Sequence, residues 1–101
     1  MGSRLKLQAE LEALLGSRNV YFRPPASVQM KYPAIVYSLS SLDNVHANNT
    51  VYSQNDRYEL TYIDKNPDNE MFKSISKLPK CSLDRTYVAD NLNHYVYTLY
   101  Y

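Results

Sequence analysis

The sequence RYELTYI at residues 57–63 alternates apolar and polar side chains. Tyr58, Leu60 and Tyr62 fall on one side of an extended chain, and the residues between them fall on the other. Tyrosine suits such a position because its flat ring packs well on a pleated, half-buried surface. The pattern therefore predicts a half-buried antiparallel strand over residues 57–63.

Four further segments, on either side of this stretch, have strand character. Residues 20–22 form a short strand that Pro24-Pro25 ends, and residues 34–39 are nearly all apolar, which is typical of a central strand. Two more strands are predicted near the end of the chain, at 83–88 and 95–101, joined by a turn-rich connector.

Two helices complete the set of predicted elements. The first covers residues 4–15, with Gly16 placed where a left-handed C-cap is favoured. Its apolar face consists of Leu7, Leu11, Leu14 and Leu15. The second helix is predicted to begin at Asn66-Pro67, with Asn as the cap and Pro at the first helical position, and to end at Pro79.

The element order is therefore α-β-β-(arm)-β-α-β-β within a single domain, residues 1–101. We expect an α+β fold, in which a four- to five-stranded, mostly antiparallel sheet has two helices packed on one face.

A polar arm or loop at about 41–56 separates the second and third strands, and it is too long for a simple connection. Asn48-Asn49 can form the tight turn of a protruding hairpin, because Asn tolerates positive φ. A disordered loop is the alternative, and the sequence leaves both open.

Composition argues against several functions. Lys and Arg number 11 against 10 Asp and Glu, a net charge of +1, which does not favour electrostatically driven binding to nucleic acid. No run approaches the ~20 apolar residues of a membrane span, so no membrane partner is expected. Cys81 is the one cysteine, so no intramolecular disulfide is possible, and a reducing cytoplasm is the expected setting.

No residue set indicates a reaction or a cofactor. Zinc sites need closely spaced ligand pairs, and His46, His94 and Cys81 do not provide them. Cys81, Asp84 and His94 could in principle form a nucleophilic set, but no flanking motif supports it. With only 2 Gly in the chain, a phosphate-binding loop is also not expected. We therefore expect no enzyme activity, no metal and no cofactor.

The 11 tyrosines are more than one small core needs. Tyr95, Tyr97, Tyr100 and Tyr101 are distributed over both faces of the last strand. One face is expected to meet helices, and the other would expose aromatic surface unless another chain covered it. This pattern predicts an oligomer.

Several motifs together resemble a known family. They are VYFRPP at 20–25, KYPAIVY at 31–37, RYELTYID at 57–64, a helix ending in Leu78-Pro79, and YVADNLNHYVY at 87–97. The chain resembles the small tail-completion proteins of long-tailed bacteriophages, the tail terminator (tail-to-head joining) group. The resemblance extends from about Leu5 to Tyr101.

The resemblance implies a structural virion protein of the phage neck, assembled in the bacterial cytoplasm. Six copies would close into a ring on the tail-tube protein, stop its polymerisation and present a surface to the head connector or stopper protein. Viral DNA would pass through the lumen without sequence readout. Head-to-tail contacts that close give such a ring. The expected interface residues are Asn44, His46, Asn48, Asn49, Tyr52, Arg57, Tyr97 and Tyr101.

A second hypothesis belongs to another class of protein. The chain could be a small monomeric α+β binding module for a peptide or single-stranded RNA, with sheet tyrosines as stacking platforms. The near-neutral charge disfavours it, since stacking platforms normally lie in a basic groove.

Overall fold

The computed structural model describes the backbone of residues 4–47 and 50–101, and the side chains of residues 4–40 and 57–101. The helices are α1 (Arg4–Leu15) and α2 (Met71–Ser76). The strands are β1 (Val20–Phe22), β2 (Ala34–Ala47), β3 (Thr50–Asp64), β4 (Cys81–Ala89) and β5 (Leu92–Tyr100). The predicted α+β class and element order are confirmed.

The five strands form one sheet in the order β1-β2-β3-β5-β4. β1 pairs with β2 in parallel, and every other pairing is antiparallel. The connector over residues 23–33 returns the chain so that β1 and β2 run parallel. The Tyr32–Pro33 peptide at the end of this connector is cis. The sheet is therefore mostly antiparallel, as the alternating patterns predict.

The core lies on one face of the sheet, where side chains from neighbouring strands align in rows. Tyr37, Leu60 and Tyr97 occupy one row, since they are register partners across β2, β3 and β5. The row on one side of it contains Ile35, Tyr62 and Tyr95, and the row on the other contains Leu39, Tyr58 and Leu99. Directly paired side chains point to the same face of a sheet. Five tyrosines are thereby buried together.

Both helices cover this face. Leu7 and Leu11 of α1 and Ile75 of α2 are buried in the same cluster as the strand tyrosines. Leu14 and Leu15 pack against the cluster, which confirms the predicted leucine face. Gly16 has φ +79°, and its N–H donates to the Glu12 carbonyl at 2.9 Å, so the predicted left-handed cap is also present.

The second helix begins later than the sequence predicts. Its first residue is Met71, and Asn66-Pro67 lies in a preceding turn. The Asn66 side chain accepts from the Asp68 N–H at 3.0 Å, and the Asp64 carboxylate accepts from the Asn66 N–H at 2.9 Å. These local side-chain bonds give the backbone an alternative to the helical ladder, so the helix is delayed.

Candidate interface: the hairpin arm and the exposed edge strand

Residues 41–56 are called here the arm, and its described backbone, 41–47 and 50–56, forms a two-stranded extension of the sheet. β2 and β3 remain paired from Leu42↔Asp56 to Ala47↔Thr50, whereas the pairing of β3 with β5 ends at Arg57↔Tyr100. At about 3.4 Å per residue, six further pairs extend about 20 Å past the sheet. The backbone therefore has the hairpin form of the two alternatives, and the molecule is elongated, 50 × 25 × 23 Å.

The base of the arm is fixed by a bulge and by Arg57. The β2–β3 register shifts between Leu39 and Ser41. The Ser40 hydroxyl donates to the Arg57 carbonyl at 2.8 Å, and the Arg57 Nε donates to the Ser40 hydroxyl at 3.3 Å. A bulge bends a strand and increases its twist, so it sets the direction in which the arm leaves the sheet.

The arm has few described contacts beyond its own pairing. In the described backbone no third strand pairs with residues 42–47 or 50–56. An isolated two-stranded hairpin is marginally stable in water. The described strands of the arm therefore each have one edge with no further strand beside it.

Most of the predicted interface residues belong to the arm. Asn44 and His46 lie on its β2 side, and Tyr52 lies on its β3 side. Asn48 and Asn49 lie outside the described residues, and Arg57 is at the base. Their roles in an interface stay predictions.

Tyr97 is a correction. Its side chain is 0% exposed in the centre of the core, and its hydroxyl donates to the Phe72 carbonyl at 2.7 Å. Burial raises the pKa of Tyr97 to about 12. The expectation that Tyr97 contacts a partner is wrong, because the face of β5 that carries Tyr95 and Tyr97 is the face that the helices cover.

Tyr101 is half-buried and held within the chain. Its hydroxyl donates to the Glu10 carboxylate at 2.7 Å. Desolvation and this acidic partner raise the pKa of Tyr101 to about 12. The side chain borders an apolar groove of about 480 Å³ between α1 and the segment that follows α2. An interface role for Tyr101 stays a prediction.

The structure does not bring together the possible nucleophilic set. Cys81 pairs with Leu99 at one end of the β4–β5 ladder, and His94 pairs with Tyr87 near the other, about 17 Å away along the strand. Asp84 accepts from the Thr98 hydroxyl. Burial, with Asp84 as a smaller cause, raises the pKa of the Cys81 thiol to about 11, which keeps it protonated at neutral pH.

The described side chains contain no group of three His, Cys, Asp or Glu placed to hold a metal ion. Neither described helix has the length and apolar character to cross a bilayer.

The feature that sequence reasoning missed is the position of β4 at the edge of the sheet. The side chains from Ser82 to Val88 are all exposed, including Leu83, Tyr87 and Val88, the last at 69%. Tyr87 stacks on His94 with ring centroids 4.6 Å apart. The available signal was the polar character of SLDRT at 82–86, which is unlike that of a strand enclosed on both sides.

Beside β4, the sheet face opposite the helices carries a polar cluster. The Arg85 Nη2 lies 3.8 Å from the Glu59 Oε1, and both side chains are exposed. Arg57 and Thr98 line the same shallow depression. These charges are paired or solvated, so the cluster presents a polar surface rather than a binding pocket.

Comparison of the chain with protein-family models, with curated proteins and with solved structures gives no match.

Proposed function

We propose that this chain is a structural subunit of a bacteriophage neck, a tail terminator that caps the tail tube as a ring. In this role it stops tube polymerisation and provides the surface that joins the tail to the head. Its partners are further copies of itself, the tail-tube protein and the head connector or stopper protein. The proposal places the protein in the virion and assigns it no catalytic step.

The observation that carries the proposal is the arm. The paired backbone of the arm extends about 20 Å past the sheet with no third described strand beside it, and an isolated hairpin is marginally stable in water. Each subunit of a ring must contact the next through a different surface from the one that receives the previous subunit. An arm at one end of an elongated domain is suited to the first of those surfaces.

The charge balance also supports a passive channel. With 11 Lys and Arg against 10 Asp and Glu, the chain has an excess of only one cation with which to hold a phosphate backbone. DNA moving through a lumen built from such subunits would meet little electrostatic resistance.

The alternative of a single-stranded RNA or peptide module receives less support. A stacking platform requires aromatic rings on an open sheet face. Five of the tyrosines are buried beneath the helices instead. Among the described side chains, Tyr87 is an exposed aromatic residue, and its ring already stacks on His94.

Shortening the arm tests the proposal. Replacing residues 44–54 with an Asn-Gly turn preserves the Asp43↔Asn55 pair and the whole five-stranded body. We expect the variant to keep the circular dichroism spectrum of a folded, strand-rich protein and to melt cooperatively. We also expect it to lose any assembly that light scattering detects for the unmodified chain.

A matched control keeps the length of the arm. Exchanging Ser53 for Thr in the full-length arm should leave assembly unchanged, because Thr is at least as suited to a strand as Ser. Assembly that persists without the arm would contradict the proposal. Loss of folding would show that the arm supports the core and is not a dispensable interface element.

A further inference from the structure

β4 is an exposed sheet edge, and its segment after the bulge, residues 86–88, has the properties of a strand acceptor. It has nine residues, pairs on one side with β5, and is the last strand of the sheet. The opposite edge is formed by β1, which has only three residues. Natural sheets cover, shorten or charge such edges, because unpaired N–H and C=O groups recruit further strands. β4 is neither short nor covered by another described element, and its charged residues, Asp84 and Arg85, lie at the bulge, before Thr86 and Val88.

The pattern of hydrogen bonds between β4 and β5 shows which backbone groups of β4 point outward, away from β5. The Tyr100 N–H donates to the Lys80 carbonyl at 3.0 Å, so these two residues form a hydrogen-bonded pair at one end of the antiparallel ladder. Asp90 and Asn91 form a two-residue turn at the other end, and Ala89 pairs with Leu92 there. Bonded and non-bonded pairs alternate along such a ladder. With the bulge after Leu83, the backbone groups of Thr86 and Val88 therefore point away from β5.

The side chains around these groups favour a protein strand as the occupant. Val88 is 69% exposed and Leu83 is 40% exposed, and Tyr87 lies between them in the sequence with its ring partly exposed. An added strand would cover apolar surface while it satisfied the backbone groups. Strand addition to a sheet edge obtains its affinity from main-chain hydrogen bonds and its specificity from alternate side chains.

The same chain contains a matching donor. The arm has free backbone edges on both sides, since neither 42–47 nor 50–56 pairs with a third described strand. It carries apolar residues at Val45, Val51 and Tyr52 among polar ones, which is a composition suited to a half-exposed strand. Among the described strands, β4 has no neighbour on its outer edge, and the arm has no strand beside it other than its own hairpin partner.

We propose that the arm of one copy adds as a strand to the β4 edge of the next copy, through the outward backbone groups of Thr86 and Val88. The contact joins two different surfaces, so it is head-to-tail and repeats from copy to copy. This contact between the arm and β4 defines how neighbouring copies in the proposed ring are joined. Only the closure of that ring rests on the proposed function.

Cross-linking between two differently marked copies tests the pairing. Both variants carry Cys81→Ser, which removes the native thiol. The arm variant adds Ser53→Cys, and the edge variant adds Thr86→Cys at an exposed position. A short bis-maleimide is applied to each variant alone and to their equimolar mixture. We expect a cross-linked pair in the mixture and at least tenfold less in either variant alone.

The other outcomes are informative. A product from the edge variant alone would mean that two β4 edges pair with each other, and a product from the arm variant alone would mean that two arms pair. Either result, or no product in any sample, overturns the proposal. Because the linker spans several ångströms, a one-residue difference in register does not remove the expected product.

A backbone variant provides a second, independent measurement. Thr86→Pro removes an outward N–H, and proline is tolerated on strand edges that face solvent. Thr86→Val keeps the N–H and is the matched control. We expect association to weaken about tenfold for the proline variant and to be unchanged for the valine variant. Equal association by two well-folded variants would contradict a role for this edge.

The two proposals can fail separately. Discrete rings without the mixed cross-link would retain the neck function and exclude the arm–β4 contact. A mixed cross-link in dimers or open filaments would retain the contact and remove the closed ring.

Discussion

β4 and β5 are neighbours both in the sequence and in the sheet, and each has nine residues, but their environments are opposite. β5 buries Tyr95, Val96, Tyr97 and Leu99, whereas no residue of β4 is fully buried. The difference arises from the strand order, because β5 lies between β3 and β4 while β4 has no described strand beyond it. An alternating pattern identifies a strand, but the identity of its neighbours determines what the strand can do.

Truncating one tyrosine on each of β4 and β5 should give the largest difference in stability between the two strands. Tyr97→Ala on β5 should lower the free energy of unfolding by about 3–5 kcal/mol, because it leaves a cavity in the core. Tyr87→Ala on β4 should cost less than about 1 kcal/mol, the value of one exposed aromatic pair. Urea denaturation of both variants measures the two effects. Similar losses would mean that β4 is as integrated into the core as β5.

A smaller change tests the hydroxyl of Tyr97 alone. Tyr97→Phe removes the hydrogen bond to the Phe72 carbonyl, which still accepts from the Ser76 hydroxyl. Since that carbonyl keeps a partner, the expected loss at neutral pH is about 1 kcal/mol.

The pH dependence of the same variant gives an independent signature. Burial raises the pKa of Tyr97 to about 12 from its ordinary value of 10.0, so the folded chain holds this proton more tightly than the unfolded chain does. The resulting stabilisation is fully present below about pH 10 and is lost as the pH rises toward 12. Stability of the Phe variant should therefore decline less steeply over this interval.

Tyr87→Phe on the exposed strand is the control for the loss of a tyrosine hydroxyl at neutral pH. It should leave the free energy of unfolding within about 0.5 kcal/mol, because Tyr87 is partly exposed and stacked on the surface. Identical slopes for the Tyr97 variant and the original chain would contradict the assignment of this titration to Tyr97.

The turn that joins the two strands is expected to give the smallest effect. Asp90 and Asn91 have φ values of 53° and 61°, in the left-handed region that Asn and Gly tolerate. Asn91→Ala should lower stability by about 1 kcal/mol, and Asn91→Gly should leave it within about 0.5 kcal/mol. Thermal melts compare the two. An alanine variant as stable as the glycine variant would show that the turn does not constrain the β4–β5 register.

Local patterns predicted much of the fold. The bounds of α1 and β1 follow from the leucine spacing and from the prolines at 24–25, and α1 ends at the expected glycine. The start of α2 could not be predicted from Asn66-Pro67, because the competing bonds of Asp64 and Asn66 form only once the end of β3 and the turn that follows it are in place.

The candidate site was predicted less well, and Tyr97 and β4 show why. The alternating pattern places Tyr95 and Tyr97 on one face of β5 and Val96 and Thr98 on the other. It does not predict which of the two faces the helices will cover. That choice depends on where α1 and α2 cross the sheet, which is a long-range property. The edge position of β4 likewise depends on β3 pairing with β5 rather than with β4, a topology that no local segment encodes.

The assembled mass of the protein shows whether copies of this chain join into the proposed closed ring. Light scattering over a concentration series, followed by negative-stain imaging, should give a discrete ring of six copies of the 11.7 kDa chain, about 70 kDa. A mass of one chain at every concentration would contradict the claim of self-assembly.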